Sequence, residues 1–128
     1  MRIDPLPFSV WYRVALDRGE DLIEALRAFT KKEGLKEAYV LSCIGSLERV
    51  VLAYPKAPSE PIEIGTLVLE GLFEINGISG SIKKEGEAFK VHLHGSLSRA
   101  GKEVVGGAIY PGTRILRGAE LVIGGIKG

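Results

Sequence analysis

Val10, Tyr12, Val14 and Leu16 fall on one side of an alternating run over 8–16, and Trp11, Arg13 and Ala15 on the other, a period of two that predicts a strand. Asp17 and Glu20 then stand three apart, the spacing of a capping box. They predict a helix over 21–32 with Leu22, Ile23, Ala25, Leu26 and Phe29 as its apolar stripe. Lys31 and Lys32 suit the negative end of that helix, and Gly34 supplies a stop tolerant of left-handed backbone. Further strands are predicted over 38–44, 47–54, 62–75, 79–84, 88–97, 103–110 and 114–123. Three prolines between 55 and 61 mark a loop, and 84–87 and 99–102 have the composition of hairpin turns. One helix thus accompanies many strands in a single domain over 1–128, with no linker and no repeat.

Several of these strands are apolar on both sides. Val50, Leu52 and Tyr54 lie opposite Val51 and Ala53, and Leu67 and Leu69 lie opposite Val68. A single helix covers only one face of part of such a sheet. The rest requires the sheet to curl over itself or a second subunit to cover it, so an oligomer is expected.

Composition sharpens this picture. A chain of 128 residues, 45% hydrophobic and 26% charged, fits one compact domain that needs neither disulfides nor structural metal to hold a core. Seventeen Lys+Arg against sixteen Asp+Glu leave a net charge of +1, which argues against strong autonomous DNA binding. The basic residues are dispersed along the chain; Arg114 and Arg117 come nearest to a pair. A lone Cys43 closes no intrachain bridge, and Met1-Arg2-Ile3-Asp4-Pro5 lacks the apolar run of a secretory signal, so a cytoplasmic location is expected. No apolar stretch is long enough for a membrane span, and no membrane partner is expected. The chain has no Gln and only Asn76 as Asn, among abundant Lys, Glu and Arg, a usage that predicts a thermophilic source.

The candidate chemistry lies in 89–98. Phe89, Val91, Leu93 and Leu97 alternate with Lys90, His92, His94, Ser96 and Ser98, so both histidines share one face. Residues two apart on a strand are close enough for two imidazoles to meet one metal, and equally for them to be two hydrogen-bonding rings on a half-exposed face. A third donor is not selected by spacing; Glu70 and a group from a neighbouring subunit are the candidates. Cys43 has no local signature of a nucleophile and reads as a small buried hydrophobe. The doublets Gly106-Gly107 and Gly124-Gly125 permit a bulge or close approach by another backbone, from a second subunit as readily as toward a ligand.

Six segments in order carry a family resemblance: Gly19-Glu20-Asp21-Leu22, Ile44-Gly45-Ser46-Leu47, 69–75, Ser79-Gly80-Ser81, His92-Leu93-His94 and Val104-Val105-Gly106-Gly107. Together they resemble the PPC domain, the plant and prokaryote conserved domain, which stands alone in bacteria and archaea and is joined to AT-hooks in plant nuclear proteins. The resemblance implies an α+β fold, a mainly antiparallel curved sheet with one principal helix, assembled as a homotrimer. It implies a partner-binding segment at Gly71, Leu72, Phe73, Glu74, Ile75 and Asn76, where Leu72 replaces the Arg of plant members and Asn76 their final Leu. It implies metal binding, by zinc, through His92 and His94 with a third histidine after the Gly-Gly doublet; here that position is Ala108. No Arg-Gly-Arg-Pro hook occurs, so DNA association is expected to be indirect or weak. The expected function is a stand-alone, non-catalytic trimeric interaction or regulatory module. The alternative is a metal-dependent small-molecule enzyme or ligand-binding protein using His92 and His94.

Overall fold

In the computed structural model, which describes residues 1–128, the chain forms β1 (Val10–Leu16), α1 (Leu22–Lys32), β2 (Leu35–Pro55), β3 (Ile64–Glu85), β4 (Ala88–Arg99), β5 (Glu103–Ile109) and β6 (Arg114–Lys127). The strands make one antiparallel sheet in the order β1-β6-β2-β3-β4-β5. The far end of this sheet returns to its middle: Leu52 pairs with Ile109 and Ala53 with Ala108, closing β2, β3, β4 and β5 on themselves. Curling therefore shields much of the two-faced apolar surface from within one chain.

The Gly106-Gly107 doublet lies at this seam and serves contacts inside the chain. A Cβ on Gly106 would stand 2.5 Å from the carbonyl oxygen of Gly95, and Gly107, at φ +149°, lies against the carbonyl of Ala53. Gly124 and Gly125 likewise admit Phe8 and Leu35.

Predicted strands 38–44 and 47–54 are one strand, β2, and 62–75 and 79–84 are one strand, β3. The apparent breaks at Gly45-Ser46 and Asn76-Gly77 lie beside register shifts, which bend a strand without ending it. The helix begins as its apolar stripe requires, but Asp21 is its cap: Oδ1 accepts from the N–H groups of Ile23 (3.0 Å) and Glu24 (3.1 Å). The other carboxylate oxygen accepts from Gly112 N–H at 2.7 Å, tying the helix start to the β5–β6 turn. The Asp17–Glu20 bond does form, at 2.7 Å, within the turn that precedes the helix.

Leu22, Ile23 and Leu26 of α1 join Leu47, Phe73 and Leu97 in one buried cluster on the inner face of the sheet. The two buried threonines are satisfied: Thr30 donates to Leu26 O (2.7 Å), and Thr113 donates to Tyr110 O (2.9 Å) while accepting from Val51 N–H (3.1 Å). The tip of the β2–β3 hairpin is different. Leu67 and Val68, on opposite faces, remain 44% and 49% exposed, and Tyr54, Ile62 and Ile64 are exposed beside them. The proline-rich segment 55–61 is simply the loop at that tip, with Lys56 N–H bonded to Glu63 O.

Candidate functional site

Strand alternation sends Leu93 inward and leaves His92 and His94 exposed on the outer face of β4. Register sets Ser81 opposite His92 and Ser79 opposite His94 on β3, with Ala108 opposite His94 on β5. The two Nε2 atoms are 3.1 Å apart, so one ring donates to the other. Gly80 makes the strand pairing here possible: at φ +151°, a Cβ would stand 2.0 Å from the carbonyl oxygen of His92. Tyr39 and Leu41 of β2 complete an open groove around the imidazoles. The phenol of Tyr39 donates to Glu37 Oε1 at 2.5 Å. That bond, with help from burial and the carboxylate's charge, raises its pKa above the ordinary tyrosine range.

Two imidazole nitrogens on a tetrahedral zinc stand roughly 3.3–3.4 Å apart, given Zn–N bonds of about 2.0–2.1 Å. The spacing of His92 and His94 is close to this bite. No third histidine, cysteine or carboxylate joins them. Glu70 is engaged elsewhere, accepting from Arg49 Nη1 at 2.7 Å, and Ala108 occupies the position facing His94 across β5. Within one chain these residues do not fit a closed zinc centre.

The segment Gly71–Asn76 is divided by strand alternation. Phe73 and Ile75 are buried, whereas Leu72, Glu74 and Asn76 face outward. Leu72 and Glu74 line a shallow groove with Ser46 and Arg117. Asn76 is held in place by Ser96 (3.3 Å) and Ser98 (3.0 Å). Cys43 lies in the core, and burial pushes its thiol up to about 12, the opposite of an activated nucleophile.

One feature is invisible to local pattern. The topology gathers Lys31 and Lys32 at the end of α1, Lys36 at the start of β2, Lys83, Lys84 and Lys90 around the β3–β4 hairpin, and Lys127 at the end of β6. All are exposed, and two adjoining grooves share Lys36 and Lys84 as walls. Only the recurrence of lysine beside Gly34, Gly86 and Gly128 hints at this in the sequence.

The fold is shared with solved proteins. A plant- and prokaryote-conserved (PPC) protein from Pyrococcus horikoshii superposes with a TM-score of 0.85 at 26% identity, covering 100% of this chain and 86% of that one. The metal-containing protein AF0104 from Archaeoglobus fulgidus shares the fold at the same TM-score and 23% identity, over 100% of this chain and 87% of its own. A bifunctional protein GlmU from Synechococcus sp. (strain JA-3-3Ab) is 32% identical over 124 residues, 95% of this chain, but the match spans only 18% of that much longer protein. The model of the Plants and Prokaryotes Conserved (PCC) domain matches residues 10–127, and the chain belongs to that family.

Proposed function

We propose that the protein is a homotrimeric, non-catalytic interaction module whose association with DNA is indirect or weak. The observation that carries this reading is the β2–β3 hairpin tip, apolar on both faces and exposed on both in the isolated chain. A half-exposed Leu or Val gains roughly 1 kcal/mol when the remainder of its side chain is buried, so Ile62, Ile64, Leu67 and Val68 together supply several kcal/mol toward self-association. The Synechococcus GlmU protein holds a domain like this one as a small fraction of its length, which supports reading the domain as a self-contained module, here expected to stand alone. The outward Leu72, Glu74 and Asn76 form the surface offered to a protein partner. Cytoplasmic location and a thermophilic source belong to the same reading.

The decisive variant is Leu67→Asp with Val68→Asp, which places two charges on the tip without touching the inner core. Sedimentation should show assembly in the parent and a folded protomer in the variant; assembly unchanged by the two charges would refute the role of the tip. A second reading, a metal-dependent enzyme or ligand-binding protein, is favoured by the convergence of the two Nε2 atoms. Elemental analysis of unchelated protein separates the two: stoichiometric zinc lost in His92→Ala supports the second reading, whereas metal-free protein of unchanged stability supports the first.

A further inference from the structure

We infer that the lysine end of the molecule is a binding surface for the phosphate backbone of double-stranded nucleic acid. The inference rests on the weak DNA association proposed above and assigns it a place.

Seven of the nine lysines lie at this end, against four carboxylate side chains, Glu33, Glu37, Glu85 and Glu87. The end carries a side-chain charge of +3, whereas the rest of the chain, with ten cations and twelve anions, carries −2. A charge near zero overall thus conceals a polar distribution. The two types of cation are also used differently. All five ion pairs of the protein are made by arginine, and no lysine lies within salt-bridge distance of a carboxylate. Lys127 reaches only the backbone carbonyl of Glu33, at 3.0 Å. Lys83 and Lys90 are directly paired across β3 and β4, a like-charge arrangement that destabilises an antiparallel sheet unless an anion lies between the two.

The chemistry of the surface selects its ligand. Lys31, Lys36, Lys83 and Lys84 border the two adjoining grooves, interrupted by Glu37 and Glu87. Lysine is a point charge suited to single phosphate oxygens, and no arginine lines these grooves to read a base edge through a paired contact. The only ring there, Phe89, is half-buried and offers no platform for the stacking that single strands require. No exposed large apolar side chain lines these two grooves, so nothing in them is available to enter a lipid headgroup layer. What remains is sequence-independent contact with a regular array of phosphates.

Three to four lysine–phosphate contacts give a slope of about −3 in log K against log salt, so affinity should fall roughly 40- to 150-fold between 50 and 200 mM salt. The test is fluorescence anisotropy of a labelled random-sequence 20-base-pair duplex at several salt concentrations, with the full chain. The double variant Lys36→Glu/Lys84→Glu should bind at least tenfold more weakly at 50 mM salt, with a slope shallower by about 2. Lys56→Glu/Lys102→Glu, the same charge change at the two lysines outside the surface, should retain both the affinity and the slope of the parent. Equal losses in the two variants, or a loss confined to the second, would overturn the assigned surface while leaving weak DNA association intact. No binding by the parent even at 20 mM salt would overturn both. Tighter binding to vesicles with anionic phosphatidylserine headgroups than to the duplex would give the surface to a membrane and overturn the inference.

Discussion

Replacing Ala108 by His should convert a two-legged imidazole pair into a metal site. Ala108 faces His94 directly across the β4–β5 ladder, and cross-strand Cβ atoms stand about 4.5–5.5 Å apart, so a new imidazole would reach the space that His92 and His94 share. The existing nitrogens need to open by only about 0.2–0.3 Å to match a zinc bite, from their separation of 3.1 Å. A four-ligand structural zinc site yields about 10–16 kcal/mol, or about 3 kcal/mol per ligand, so the third imidazole should tighten zinc by roughly a hundredfold. Calorimetric titration of zinc into chelator-treated protein measures this, and visible absorption of the cobalt form reports the coordination number. Ala108→His should bind in proportion to protein, release protons as it does so, and lose the gain when His92→Ala is added. Equal zinc affinity in the folded variant and its parent would refute the geometry. So would a parent that retains one zinc per chain through dialysis against a chelator.

Phe73→Ala should cost about 3–5 kcal/mol of stability in denaturant titration, because the ring is wholly buried in the main cluster; a loss below 1 kcal/mol would contradict that packing. Gly80→Ala should lower stability and shift the NMR signals of both histidine rings, since its Cβ would meet the carbonyl of His92; unmoved signals would count against it. Cys43 should resist thiol reagents at pH 8 until the protein unfolds. Its thiol is raised from 9.0 to about 12 in the fold, so the folded state holds its proton where the unfolded state has lost it. The resulting stability is complete below pH 9 and declines above it, by about 1 kcal/mol at pH 10. Cys43→Ala should flatten that decline, leaving the smaller contribution of Tyr39 in the same direction. The melting midpoint of the parent should exceed the roughly 45–65 °C usual for mesophilic domains; a value inside that range would remove the thermophilic reading.

The elements legible in the sequence are those with one buried face. Strand β1, helix α1 and strand β4 each bury a regular set of positions, so period alone identifies them and places His92 and His94 side by side. The long strands β2 and β3 were hidden because Gly45-Ser46 and Asn76-Gly77 have the composition of turns, while here they accompany bulges in continuous pairing. The two-sided apolar character of 50–54 and 67–69 correctly called for a second layer, but only the Leu52–Ile109 and Ala53–Ala108 pairings show how much of it the sheet provides by closing. Dispersed basic residues concealed the lysine end for a related reason. Lys31, Lys84 and Lys127 are far apart along the chain, and no local period relates residues that only long-range strand pairing brings together.

In the proposed trimer the exposed hairpin tip is covered by other copies of the chain. Light scattering coupled to size exclusion, over a dilution series reaching low micromolar protein, measures that assembly. Three copies of a 13.8 kDa chain should give a mass of about 41 kDa that persists on dilution. A monodisperse particle of 13.8 kDa throughout the series would contradict it.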